Sequence, residues 1–276
     1  MTLPEVVVPA YDGVDALAAC LDSLLHALPT EARVQLIDDA SPDPRVRQLL
    51  EHFARRAKCT VALHFQHRNL GFVGTVDAAM ARADGDVVLL NADTVATRGF
   101  LQRLAACAAS DPRIATATPF SNNAEICSFP DFCRASPLPD DPERIAAACA
   151  AAGPPDYPDL PTGVGFCMLV RRAALQAIGG FDAETFGRGY GEENDFCRRA
   201  AAHGWRNVLC DDAWVGHRGG ASFAAIGLEP GGENLARLVA RYPGYNALVA
   251  DFIARDPLAP RRARIQAALR GETATP

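Results

Sequence analysis

The sequence predicts an α/β fold with a mostly parallel central sheet and helices on both of its faces. Over the first 120 residues, short apolar runs alternate with segments of helical spacing. The runs are near-continuous rather than alternating, as strands buried on both faces require. Polar residues fall at the C-terminal ends of these runs: Tyr11 and Asp12, Asp38 and Asp39, Asn69, Asn91 and Asp93. Open α/β sheets bind ligands in the crevice at that end, so these clusters are expected to face one pocket.

In order along the chain, EVVVPA (5–10) reads as the first strand and VDALAACLDSLLHA (14–27) as a helix. VQLIDDAS (34–41) is a strand ending in acids, 43–57 an amphipathic helix, and TVALHFQ (60–66) a strand. GFVGTVDAAMARA (71–83) opens on glycine and continues as a helix, and DVVLLNAD (86–93) is a buried strand. A helix over 98–110 and an extended IATATPF (114–120) follow. Segments 121–141 and 153–163 are loop-like, rich in Pro, and flank an Ala-rich helix over 143–152. GFCMLVRRAALQAIGGF (165–181) is a strand and a helix with a Gly-Gly stop; GYGEENDFCRRAAAHGW (189–205) is a glycine-led helix; NVLCDDAWVGHRGG (207–220) is strand-like. Helices are expected near 232–241, 244–255 and 259–269, the last basic on one side and read as an appendage.

Composition narrows the class. The 276 residues suffice for one large domain or two small ones, and 49% apolar with 22% charged residues is a globular composition. The net charge of 27 − 33 = −6 argues against a nucleic-acid partner. The nine cysteines are odd in number and contain no C-x-x-C, so they read as reduced, mostly buried thiols of a cytoplasmic protein. The chain enters its first strand directly, and no uncharged apolar run reaches the length of a membrane span. Membrane association is expected to be peripheral at most, at the inner face, or through a partner. A homodimer or fusion to other catalytic domains is compatible with the sequence.

Each motif has an ordinary alternative. LLNADT (89–94) brings Asn91 and Asp93 to a strand end, where a carboxylate suits a hard divalent cation or simply caps the next helix. DDASPD (38–43) is either a capped helix start with an early Pro or a hydrogen-bonding edge for a base and ribose. HRNLGFVGT (67–75) has glycines three apart at a strand–helix junction but lacks G-x-G-x-x-G. Glu192, Glu193 and Asp195 sit in a helix's first turn, where acids gain about 0.3–1 kcal/mol each from the macrodipole. Asp195 and Arg199 are placed to form a surface ion pair. Residues 192 and 195 share a helical face while 193 points elsewhere, so the three acids are not expected to serve one task.

In this order the segments VVVPAYDG, LIDDASPD, RNLGFVGTVDAAM, LLNADT, TGVGFCMLVRR, GYGEENDFCRRAAAHGW and DDAWVGHRGGASF resemble glycosyltransferase family 2 over about residues 4–222. The resemblance is greatest to bacterial members that build O-antigen and other surface polysaccharides. It implies a GT-A fold, with a Rossmann-like, mostly parallel sheet flanked by helices and a C-terminal helical extension. The implied boundaries are 1–225 for the GT-A domain, with a nucleotide-binding half of about 1–120 and an acceptor half of about 121–225, and 226–276 for the extension.

The resemblance also implies roles. Pro9, Ala10, Tyr11, Asp38 and Asp39 match positions that hold the nucleoside; Asn69, Gly71 and Phe72 match a segment around the base, with Arg68 near the diphosphate. Asn91, Ala92 and Asp93 stand at the D-x-D motif, leaving Asp93 as the main metal ligand with His217 completing the site. Gly163, Val164, Gly165 and Phe166 match a wall near sugar and acceptor. Glu193 stands at the general base, where Asp is more usual; Glu192 and Asp195 are the alternatives. The implied activity is an inverting, Mn²⁺- or Mg²⁺-dependent transfer from a nucleotide sugar, UDP- or dTDP-linked by preference, to a glycan or lipid-linked glycan hydroxyl. A catalytically silent scaffold or glycan-binding domain is one alternative. A sugar-1-phosphate nucleotidyltransferase is another, disfavoured because PAYDGVDAL replaces a Gly-rich basic loop after the first strand.

Overall fold

The computed structural model describes residues 2–187, 189–219 and 232–272. A seven-stranded sheet forms its centre: β1 (Glu5–Ala10), β2 (Arg33–Asp38), β3 (Thr60–Phe65), β4 (Val87–Leu90), β6 (Ile114–Phe120), β7 (Cys167–Val170) and β8 (Arg206–Trp214), in the order β3-β2-β1-β4-β7-β6-β8. β5 (Thr94–Val95) and β9 (Gly216–His217) form a separate two-stranded ladder. β1 pairs in parallel with β2 and β4, so successive strands step outward and then return to the other side of β1. That reversal opens a crevice between the C-terminal ends of β1 and β4.

Alternation along each strand explains the continuous apolar runs. Val6 and Val8 of β1, Val88 and Leu90 of β4, and Leu169 of β7 pack into the core on one face. Val7, Val87, Leu89, Met168 and Val170 pack into the core on the other. On the first face lie α1 (Val14–Ala27), α2 (Pro44–Arg56), α4 (Phe100–Ser110) and α5 (Pro142–Ala151); on the second, α3 (Gly71–Arg82), α6 (Arg172–Ile178) and α8 (Glu192–Ala202). α2 starts as its residues dictate: Asp43 accepts from the Arg45 amide at 2.9 Å and Pro44 holds the first turn.

The sheet is mostly parallel, as expected, with β7 antiparallel to both β4 and β6. Two expectations are corrected. The run 207–220 is two strands, with β8 ending at Trp214 and β9 limited to Gly216–His217. The appendage is part of the body. α9 (Glu233–Arg241), α10 (Tyr245–Arg255) and α11 (Ala259–Leu269) follow the short helix α7 (Ala183–Phe186) and α8 in chain order, and Phe252, Leu258 and Ile265 join the main core. Arg261 and Arg262 of α11 are buried, bonded to Asp211 and Asp256, so they do not form a basic outer face. The expected boundary at 225/226 and the GGASF end of the last motif, from Gly220 onward, lie outside the described residues. Among the described residues no helix is long and apolar enough to cross a membrane.

Candidate active site

The ends of β1, β2 and β3 are tied into one loop cluster. The Asp39 amide donates to the Ala10 carbonyl at 2.9 Å, and Asp12 N–H to Ser41 Oγ at 3.3 Å. Asp39 Oδ1 accepts from the Leu70 amide at 2.8 Å, while its carbonyl accepts from the Asn69 side-chain amide at 3.2 Å. Asn69 Oδ1 in turn accepts from the Gly71 amide at 3.0 Å. Burial pushes the Asp39 carboxyl above its usual range, against the lowering effect of the Leu70 bond. Asp38 Oδ1 accepts from the Ser41 amide at 2.8 Å, the local turn that its sequence context also allowed. Pro9 lies within β1 opposite Ile37. Tyr11 and Phe72 are half-buried beside this cluster's segments, and Arg68 is exposed.

A second cluster forms where β4 ends. Asn91 N–H donates to the Phe166 carbonyl at 2.9 Å, Ala92 is buried, and β5 pairs antiparallel with β9 so that Thr94 stands opposite His217. This ladder brings Asp93 beside His217, with Oδ1 and Nε2 3.4 Å apart. His217 Nδ1 lies 2.6 Å from the Asn123 carbonyl, which assigns a proton to Nδ1 and leaves Nε2 facing Asp93. Phe166 stacks on the imidazole with centroids 5.2 Å apart. The Asn122 side chain bonds both His217 backbone groups at 2.9 Å, standing in for a neighbouring strand. Burial opposes a charge on His217, but the Asp93 carboxylate outweighs it and raises the imidazole pKa.

The donor set fits a hard divalent cation. A carboxylate and an imidazole suit Mn²⁺ or Mg²⁺, and the carbonyl on Nδ1 is the outer-shell partner that a ligating histidine needs. Asn91 Oδ1 is buried without a hydrogen-bond partner among the described residues, an oxygen with lone pairs to offer. No three His, Cys, Asp or Glu side chains converge among the described residues, so a cation held by Asp93 and His217 would draw other ligands from water and phosphate oxygens.

The third cluster is the start of α8. Gly189, Tyr190 and Gly191 all have positive φ (134°, 67° and 109°), turning the chain sharply into the helix. A β-carbon on Gly191 would lie 2.9 Å from the Phe186 ring, so only glycine fits there. Glu193 is half-buried, and its Oε2 accepts from the Gly191 amide at 3.3 Å. It flanks the 163–166 segment: a β-carbon placed on Gly165 would be 3.9 Å from its Cγ and Cδ. That segment is held by Gly163 N–H to Cys197 Sγ at 3.1 Å and Val164 N–H to Thr118 Oγ1 at 3.3 Å. Burial raises the Glu193 carboxyl above its usual range; backbone amides at the helix start oppose the shift and the Glu125 charge adds to it.

Glu192 is 3% exposed and its Oε2 has no hydrogen-bond partner among the described residues. Burial, then the Glu193 charge, hold it well above the usual carboxylate range. Asp195, grouped above with the candidate catalytic acids, is engaged elsewhere. Oδ2 accepts from Arg199 at 2.8 Å, and Oδ1 from Arg241 at 2.7 Å and Tyr242 at 2.8 Å. Both oxygens are occupied and the residue is fully buried, so it is a structural anchor, and the expected surface pair with Arg199 is a buried one.

Residues 5–179, more than half of the chain, match the family model for glycosyl transferase family 2. The chain belongs to that family. No curated protein matches it. Among solved structures, the family 2 chain is similar to the mannosyltransferase PcManGT from Pyrobaculum calidifontis in complex with GDP-Man and Mn²⁺ (TM-score 0.56, 17% identity, 97% of this chain and 74% of that one). It is similar to GalNAc-T7 with UDP, GalNAc and Mn²⁺ (TM-score 0.65, 15% identity), covering 98% of its own length but only 54% of the other. It is also similar to residues 1–349 of S. aureus TarS in complex with UDP-GlcNAc (TM-score 0.55, 16% identity, 98% and 93% covered). The GT-A glycosyltransferase fold follows. The family match stops before α8 and β9, so the acids and the histidine rest on local geometry.

Sequence reasoning missed Asn122 and Asn123, which orient His217, and Thr162, Asn194 and Tyr245, which surround the start of α8. Asn122 and Asn123 lie in a stretch read only as loop. The pairing of Asn194 with Tyr245 spans 51 residues and leaves no local signal.

Proposed function

We propose that this glycosyltransferase catalyses metal-dependent, inverting transfer of a sugar from a nucleoside-diphosphate donor, UDP- or dTDP-linked by preference, to a glycan or lipid-linked glycan hydroxyl in surface-polysaccharide synthesis. The observation that carries the reading is the 163–166 segment. Its Gly165 abuts Glu193, while the adjacent Phe166 stacks on His217 and accepts from the Asn91 amide. A carboxylate base and an Asp–His pair thus flank one short wall, the disposition that in-line displacement needs.

The chain's residues divide the work accordingly. The loop cluster of Ala10, Asp39, Asn69 and Gly71 holds the nucleoside, and Asp93 and His217 would hold the cation. A divalent cation bound there offsets the charge that develops on the leaving diphosphate. The Glu193 carboxylate takes the proton from the acceptor hydroxyl as its oxygen bonds to the anomeric carbon and the bond to the diphosphate breaks; general-base catalysis of this kind is worth roughly 10²–10⁴-fold. Glu192, held neutral by burial, keeps its proton and leaves Glu193 the ionised member of the pair. Nine free thiols fit a reducing, cytoplasmic setting.

The test is a thermal-shift panel of UDP, dTDP, GDP and CMP, each with and without Mn²⁺. A ligand that binds only the folded state raises the melting temperature. A Mn²⁺-dependent shift with UDP or dTDP supports the reading, a shift with GDP alone moves the donor class, and no shift with any nucleotide overturns it.

A further inference from the structure

The C-terminal helices do more than cover the core. Around the start of α8 they make a connected set of hydrogen bonds. Asn234 of α9 donates from Nδ2 to the carbonyls of Phe186 (2.8 Å) and Gly189 (2.7 Å), holding both ends of the turn that leads into the helix. Arg241 bonds Asp182 at 2.9 Å and Asp195 at 2.7 Å, and Tyr242 adds its hydroxyl to Asp195. Tyr245 of α10 donates to Asn194 Oδ1 at 2.9 Å, and the same oxygen accepts from Thr162 Oγ1 at 2.7 Å. Thr162 also reaches the Gly163 carbonyl at 3.1 Å. One amide oxygen therefore joins α10, the residue next to Glu193, and the wall that begins at Gly163.

We propose that Tyr245 is a positioning residue for Glu193, acting through the Asn194 oxygen that it shares with Thr162. The inference rests on the reading of Glu193 as the base. Glu193 lies between two held points: Asn194 follows it in the helix, and Gly165 bounds it across the wall. Tyr245 packs with Phe186 and Leu238 in a small separate cluster, so its ring is anchored independently of its hydroxyl. Its hydroxyl fixes the spacing between the helix start and the wall, and with it the distance from Glu193 to an acceptor oxygen. An error of about 1 Å in such a distance costs on the order of 10²-fold in rate.

Tyr245→Phe keeps the ring and removes only the hydroxyl. Its test is hydrogen exchange of residues 189–196 together with kinetics on the nucleotide sugar whose nucleotide gives a Mn²⁺-dependent shift. Exchange should quicken in that segment alone, with donor KM unchanged and kcat lowered by about 5- to 100-fold. Thr162→Val should act likewise, and the double variant should lose less than the product of the two single losses, because both hydroxyls act through one oxygen. Unchanged exchange in 189–196, or exchange raised evenly through the central sheet, overturns the proposal. So does a loss confined to KM. Glu193→Gln separates the two readings. If that variant is fully active while Tyr245→Phe still loosens 189–196, the base assignment fails and the clamp on α8 stands.

Discussion

At the scale of single residues, Glu193 and Glu192 differ by environment rather than chemistry. Glu193 is half-buried with an amide from Gly191, whereas Glu192 is enclosed with one oxygen unpartnered. Glu193→Gln is expected to lower kcat by roughly 10²–10⁴-fold and leave the Mn²⁺-dependent nucleotide shift intact. Because burial raises the Glu193 pKa, with Glu125 adding to it, the acidic limb of kcat/KM should lie above the ordinary glutamate range of about 4.3. Activity should fall as pH drops through that raised value. Glu192 carries a stability consequence of the opposite kind. Its folded pKa is raised, so the unfolded chain ionises first, and the native state loses stability as pH climbs from the ordinary glutamate range toward that raised value. Glu192→Gln should therefore raise Tm at neutral pH, and the gain should vanish near pH 4. A Tm difference independent of pH would show that the burial penalty is not electrostatic.

Among elements, α8 is held by its neighbours more than by its own sequence. Its N-cap is a glycine without a side-chain bond, and Asp195 depends on Arg199, Arg241 and Tyr242. Asp195→Ala removes a buried carboxylate shared by two arginines that are 24% and 37% exposed and keep other partners, so it should cost roughly 1.5–3 kcal/mol, read as a lowered urea midpoint. Some of this was legible in the residues. The separation of residue 193 from 192 and 195 follows from helical spacing alone, and the distinct environments agree with it. The identity of the partners was not, because Arg241 and Tyr242 sit 46 and 47 residues away. Strand direction was equally hidden: CMLV of β7 presents the same alternation whichever way it runs, and only its neighbours β4 and β6 make it antiparallel. The break between β8 and β9 went unread because Ala213, Trp214 and Val215 continue the apolar run without interruption.

For the whole molecule, α11 shows how a local reading of charge inverts once the chain is packed. Arg261 looked like part of a basic face, yet it is 3% exposed and donates to the carbonyls of Cys149, Ala152, Gly153 and Pro154 while pairing with Asp211 at 3.1 Å. It closes the C-terminal end of α5 against β8. Arg261→Ala strands the Asp211 charge in the interior, with an expected loss of about 3–5 kcal/mol, a large share of a typical domain's stability of about 5–15 kcal/mol. An unchanged denaturation midpoint would rule out this tie between the last helix and the sheet.

The two-residue ladder of β5 and β9 also imposes an order in time. Thr94 and His217 meet across a sequence separation of 123, 217 − 94, so synthesis runs through most of the chain before the two can pair. Until then Asp93 has no imidazole beside it, even if β1 to β4 have already formed around their own core. A nascent chain can thus shape its crevice long before it completes the Asp–His pair, and that pairing becomes a late checkpoint on the ribosome's product.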